Sequence, residues 1–352
     1  MIHSSNTSRR QFLAGVGATG AGAFLARGLR AQNAGPRAID CHHHFTSPAW
    51  IKAMEKRDGQ KTAGFTTWFA LPQLRPYSPT KDLEDMDREG VQTGMLSCTT
   101  PGIWFGDPDE TVMLAREMND YAAKMVSDHK TRFGLFALLP LPLIDPSLKE
   151  IAYAFDTLKA DGVGLLTSYG NHWLGDPAFR PVMDELNRRG AVVYVHPTDA
   201  PCCQELFPGS QPGAVEYNTD TARTIFSLLY QNAATRYGNI KFIFSHGGGT
   251  LPFLVSRFER EEATLKNKQS ILPRGLRYEL RKFYYEIAQA NHPGALDALL
   301  RLVPATQVLF GTDYPYRPAG EAVEGLAAYK ISPADRQAIE RENVLRLFPA
   351  KK

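Results

Sequence analysis

The stretch Ala38-Ile39-Asp40-Cys41-His42-His43-His44-Phe45 runs from an apolar start into three consecutive histidines and turns at Ser47-Pro48. As a β-strand over 38–42 it alternates faces, so that His42 and His44 point one way and Cys41 and His43 the other. Two imidazoles two residues apart at a strand end can reach a single cation, and neutral imidazole is a common ligand of first-row divalent metals. Taken alone, the run reads equally well as a solvated turn. The rest of the chain has to decide.

Seven further short runs rich in β-branched, aromatic and leucine residues follow, at 91–98, 132–139, 162–169, 191–196, 240–246, 283–288 and 307–313. Helical patterns separate and follow them, at 81–89, 109–128, 146–158, 177–189, 220–237, 251–266, 293–302 and 320–329, with Gly90, Gly190 and Gly238 as stop signals. Repeated strand–helix units predict a parallel sheet with helices outside, and eight of them predict a closed α/β barrel of the (β/α)8 TIM type. Strand one then ends in His42 and His44, strand five in His196, strand six in His246 and strand eight in Asp313. Each of these alone reads more readily as a core histidine or a helix-capping aspartate. Five metal-capable side chains at matching strand ends, on the face where barrel enzymes keep their active sites, point to a metal centre.

Composition narrows the function further. The chain of 352 residues is 43% hydrophobic and 22% charged, enough to bury a large core. Its net charge of +3 is local: Arg9, Arg10, Arg27 and Arg30 fall within residues 1–31, which hold no acid. Taking those four from the 40 Lys and Arg leaves 36 against 37 acids, so no basic field is available for nucleic acid or an anionic membrane. No purely apolar run is long enough for a spanning helix. Ser8-Arg9-Arg10-Gln11-Phe12-Leu13, followed by a Gly/Ala-rich weakly apolar run, looks like a twin-arginine export signal. Residues 1–34 are therefore expected to be a cleavable signal read by the twin-arginine translocation machinery, which carries folded proteins. That leaves 35–352 as a single domain without a membrane anchor, periplasmic or secreted. The spacing of Cys41, Cys98, Cys202 and Cys203 matches neither a disulfide framework nor a zinc finger; Cys202-Cys203 could close as a vicinal disulfide. Two long loops, 45–80 with Trp50, Trp68, Phe69 and Tyr77, and the Pro/Gly-rich 199–219, follow strands one and five. Aromatic residues there suggest a lidded pocket for a small aromatic or unsaturated substrate, and ordinary packing explains them equally well.

The pattern Asp40-x-His42-x-His44, His196, His246 and Asp313 resembles the amidohydrolase superfamily. His246-Gly-Gly-Gly-Thr-Leu-Pro-Phe-Leu254 with Arg257 is similar to the branch around aminocarboxymuconate-semialdehyde decarboxylase. Phe283-Tyr-Tyr-Glu-Ile-Ala288 and the run from Leu302 to Tyr316 look like its 6-methylsalicylate decarboxylase-type members, and the resemblance spans roughly 37–348. It implies that His42, His44, His196 and Asp313 ligate one divalent metal, Zn before Mn, with His246 beside it and no bridging lysine. It also implies a homodimer. Where Glu286 stands, many members carry an aspartate. The activity implied is non-oxidative decarboxylation of a small aromatic or unsaturated carboxylic acid, with Asp313 delivering the proton and His246 positioning it. The same metal could instead activate water to open a lactone or amide, and a non-catalytic periplasmic binding protein is a more distant alternative. His43, facing away, is expected to pack or to lie at the surface rather than ligate; His172 and Trp173, after the fourth strand, are candidate substrate contacts.

Overall fold

The computed structural model describes residues 38–57, 74–203 and 212–351. The expected export signal, Trp68 and Phe69, and residues 204–211 of the second long loop lie outside them. Strands β1 (Ala38–His44), β2 (Val91–Ser97), β3 (Phe133–Leu138) and β4 (Gly162–Leu166) lie side by side in parallel. After β4 the chain leaves the sheet for a small antiparallel hairpin, β5 (Ser168–Tyr169) and β6 (His172–Trp173). Parallel pairing resumes with β7 (Val192–His196), β8 (Lys241–Phe244), β9 (Tyr284–Glu286) and β10 (Val308–Leu309). Backbone bonds then join the last strand to the first. Cys41 N–H donates to Phe310 O at 3.0 Å, Asp313 N–H to His42 O at 2.9 Å and His44 N–H to Tyr314 O at 2.9 Å. The eight parallel strands thus form the expected (β/α)8 barrel.

A helix follows each barrel strand: α1 (Pro79–Glu89), α2 (Pro108–Asp128), α3 (Ile144–Asp156), α4 (Arg180–Arg189), α5 (Glu216–Tyr230), α6 (Leu251–Thr264), α7 (Pro293–Leu302) and α8 (Ala319–Ala328). Local signals set several of their ends. Ser78 Oγ accepts the Lys81 N–H before α1, with Pro79 at the first helical position, and Gly90 takes a left-handed φ of 83° after it. One apolar layer packs between strands and helices. A second fills the barrel, built from Ile39, Cys41, Met95, Phe136, Tyr194, Ile243 and Leu309, with Val344 and Phe348 from the C-terminal turns joining it.

Strict alternation along β1 fails at one place, and the failure positions the site. The pairing register with β2 slips between Asp40 and His43, a bulge that lets both Cys41 and His42 face the interior. His43 turns outward and is buried, not exposed. Its Nδ1 lies 2.8 Å from Asp40 Oδ2 and its Nε2 lies 2.9 Å from Asp82 Oδ1 on α1, while its ring stacks on Tyr314 at 4.8 Å. Asp40 also accepts the N–H of His42 at 2.9 Å and both the N–H and the hydroxyl of Thr312. The first and last strands are therefore tied through one carboxylate.

Burial lowers the proton affinity of His43, but the Asp82 and Asp40 carboxylates outweigh it and raise its pKa from 6.5 to about 10. The imidazolium therefore stabilises the fold fully below about pH 6.5, and the contribution shrinks until it is lost as pH rises through about 10. His43→Gln leaves two buried carboxylates without their cation and is expected to cost about 3–5 kcal/mol at pH 6. Denaturant unfolding of both proteins from pH 6 to pH 10 checks this: the gap between them should close with rising pH, and a pH-independent gap contradicts the ion triad.

Candidate active site

The strand ends bring His42 and His44 of β1, His196 of β7 and Asp313 after β10 together, one donor atom from each lying within 4.8 Å of the others, all four residues buried. His42 Nε2 is 3.0 Å from His44 Nε2, and both face Asp313 Oδ1, at 3.1 and 3.2 Å. Outer contacts fix the ring tautomers. His196 Nδ1–H donates to Pro197 O at 2.8 Å, His44 Nδ1 faces Ser97 O at 3.3 Å, and His42 Nδ1 faces Glu286 Oε1 at 2.8 Å. Each Nε2 lone pair is thereby turned inward, the arrangement that holds a ligating histidine in register and raises its basicity.

The charges agree with a cation site. Burial lowers the pKa of His42, yet Glu286 and Asp313 overcome this and raise it to about 10, so the two carboxylates demand positive charge at this point. His44 and His196 shift the other way: burial, with the neighbouring imidazoles, keeps them neutral. Burial would raise Asp313, but His42, His246 and His44 hold it well below the usual carboxylate range. Three imidazole nitrogens and one carboxylate oxygen fit one divalent ion with positions left for other ligands, as catalytic sites require.

His246 stands beside the cluster rather than in it, its Nε2 3.6 Å from Asp313 Oδ2, and neither ring nitrogen has a hydrogen-bond partner. Its backbone is held in the left-handed region at φ 53°, as are Asp313 at 66° and Gln289 at 53°. Three such residues at the ends of three strands mark strain concentrated at a site. Gly249 permits the tight turn after His246: a Cβ there would lie 2.1 Å from Asn218 O.

Reading the sequence left Glu286 without a role and missed Gln289. Glu286, fully buried, takes the His246 N–H at 2.8 Å as well as His42, and its other oxygen takes the Ala288 N–H at 2.6 Å. Gln289 Nε2 donates to Asp313 Oδ2 at 2.5 Å. The cavity wall also differs from expectation. A cavity of about 410 Å³ opens beside His196; the aromatic residues that line it, among those described, are Trp104, Phe105, Tyr169 and Tyr194, and neither Trp50 nor Tyr77 is one of them. Trp50 is a core residue donating to Gly102 O at 2.9 Å, and Tyr77 donates to Asp82 Oδ2 at 3.0 Å. The signal available was Pro101-Gly102-Ile103-Trp104-Phe105-Gly106, directly after β2 on the mouth side. His172 and Trp173 are not among the residues lining this cavity. The chain turns into the β5–β6 hairpin, where His172 is exposed and paired with Asp176 at 2.9 Å, and Trp173 Nε1 donates to Asp220 Oδ1 at 2.8 Å. Cys202 and Cys203 are free thiols, not a vicinal disulfide.

A family model described as amidohydrolase matches residues 39–350, spanning every one of these site residues. The chain belongs to the amidohydrolase family. Within that family its relatives are of the expected branch. It is 36% identical to Decarboxylase macB of Penicillium terrestre over 88% of this chain and 94% of that one. It is 34% identical to the 6-methylsalicylic acid decarboxylase of Penicillium expansum over 89% and 97%. Among solved structures, a dihydroxybenzoic acid decarboxylase from Polaromonas sp. JS666, with bound manganese and the inhibitor 2-nitroresorcinol, superposes with a TM-score of 0.78. It is 21% identical, covers 90% of this amidohydrolase and 98% of that chain, and attests the shared fold.

Glu286→Gln keeps the shape of the side chain and removes the charge that orients His42. For this amidohydrolase the expected result is metal affinity weaker by about 10–100-fold, measured by competition with a chromophoric chelator. Unchanged affinity in a folded variant contradicts the outer-shell role.

Proposed function

We propose that this amidohydrolase is a metal-dependent, non-oxidative decarboxylase of a small aromatic carboxylic acid. One observation carries the reading: His196 belongs to the donor cluster and also forms the wall of an apolar cavity of about 410 Å³. Charge chemistry and a one-ring binding space thus share a side chain. Leu138, Leu139, Leu141, Leu165, Trp104 and Phe105 supply the apolar wall. The relatives' names support the same class of reaction.

His42, His44, His196 and Asp313 would hold a divalent cation, which would supply Lewis-acid charge toward the substrate carboxylate. The remaining work belongs to the chain. When the bond between ring carbon and carboxylate carbon breaks, CO2 leaves and the electron pair stays on the ring, which must take up one proton. Asp313 rests as a carboxylate, so it delivers a proton only after receiving one at Oδ2. That oxygen faces His246 Nε2 at 3.6 Å and is fixed by Gln289 at 2.5 Å. His246 is positioned to load this atom, being held by its backbone at Glu286 while its ring remains free of other partners. The apolar walls keep bulk water from competing for the same proton.

Zinc suits the three imidazoles, and manganese suits the same donor set less well. The paired Arg9-Arg10 with its weakly apolar sequel supports export by the twin-arginine route, with residues 1–34 removed and the mature domain working in the periplasm or outside the cell. Replacing both arginines by lysine should then leave the protein in the cytoplasm, as cell fractionation would show.

Metal-loaded protein should release CO2 from hydroxybenzoates with the ring intact, and chelation should abolish the reaction. Asp313→Asn should retain the fold and lose at least about 100-fold in turnover. Near-normal rates in a metal-replete Asp313→Asn protein would remove Asp313 from proton delivery. Turnover of lactones or amides alone would make the enzyme a hydrolase.

A further inference from the structure

Asp199 sits three residues beyond His196, at the start of the loop after β7, and is 4% exposed. It lines the cavity, and no Lys or Arg is among the described residues that do. Most other polar groups of that wall are already engaged. Ser168 Oγ donates to Asp220 at 3.0 Å, Thr198 Oγ1 pairs with Thr100 Oγ1 at 3.1 Å, and Cys98 Sγ donates to Thr99 O at 3.3 Å. Among the described lining residues, two buried side-chain atoms have no partner, the Tyr194 hydroxyl and Asp199 Oδ2. A buried carboxylate oxygen in an apolar wall is costly unless something donates to it. The carboxylate can accept hydrogen bonds and cannot give them, so its partner must carry an O–H or N–H.

Resting on the reading of the cavity as the seat of a one-ring acid, we propose that Asp199 is a specificity-determining residue. Its free oxygen accepts a hydrogen bond from a second polar ring substituent, a hydroxyl first and an amino group next. The same oxygen repels a substrate carrying a second carboxylate there. Burial raises the proton affinity of Asp199, its own backbone N–H offsets part of this, and Asp220 and Glu216 add to the rise, to about 6. The preferred substrate is therefore a hydroxybenzoate with a further donor group on the ring and one acidic carboxylate only.

The test uses metal-loaded mature enzyme, wild type, Asp199→Ala and Asp199→Asn, each checked for metal content and thermal unfolding. The probes are 2-hydroxybenzoates carrying a second hydroxyl, amino, methoxy or carboxylate group at each ring position in turn. Both CO2 release and equilibrium binding by calorimetry are measured. For the wild type, at one ring position the hydroxyl compound should surpass its methoxy counterpart at least ten-fold in kcat/KM and in binding. Asp199→Ala should bring that ratio to within about two-fold, because the acceptor is gone. Asp199→Asn, which keeps an acceptor oxygen without the charge, should retain part of the ratio and gain binding of the dicarboxylate. A ratio that survives in Asp199→Ala, or a uniform loss over all probes, overturns the assignment in favour of a structural role. If wild-type enzyme binds the acids but releases no CO2, the decarboxylase reading fails while the binding ratios still judge Asp199. If no acid binds the wild type, the assignment falls as well.

Discussion

Three strand ends meet at the carboxylate of Glu286. One oxygen receives His42 from β1 and the backbone of His246 after β8, and the other receives the backbone of Ala288 beyond β9. The space around it is exact enough that a Cβ on Gly311 would lie 2.0 Å from Oε2. A fully buried carboxylate is expensive, and this one is compensated only by groups that belong to the site. It sets the ring of His42, and through its other bond it holds His246 in a left-handed conformation within reach of Asp313. The donor cluster and its neighbouring acid–base residue are thus coupled through one side chain.

A second buried charge system lies on the outer side of the same strand. Asp40, His43 and Asp82 form an ion triad that secures the start and end of the barrel to each other and to α1. Its position follows from the bulge in β1, which sends His42 and His44 inward and His43 outward. Such groups add less stability than an apolar core of equal volume would. What they contribute is a fixed backbone path at the strand that supplies two of the four clustered donors.

The eight strands, their parallel order and the five polar strand ends could all be read from the sequence, because each rests on a local pattern. Strands show as short β-branched runs, helices as periodic ones, and a terminal His or Asp on a barrel strand has a defined face. Glu286 was visible only as a departure from relatives, since nothing local says that its partners come from strands one and six. Asp199 and Gln289 carried no signal either. Their meaning depends on what lies opposite them across the mouth. His172 and Trp173 have partners that no local pattern announces: the fourth strand stops at Leu166, the chain folds back as the β5–β6 hairpin, and the two side chains meet Asp176 and Asp220.

The sequence by itself determined the barrel and its five polar strand ends, because periodicity and residue type are properties of the chain alone; the choice among those ends and the family of chemistry came from the resemblance its motifs carry. The tertiary structure decided which nitrogen of each histidine faces inward, which aromatic residues wall the cavity, and which carboxylates are paired or left free. Those depend on contacts between residues as many as 272 positions apart, such as Asp40 and Thr312. Hydrogen bonding and desolvation act across space, and the linear order of residues records neither.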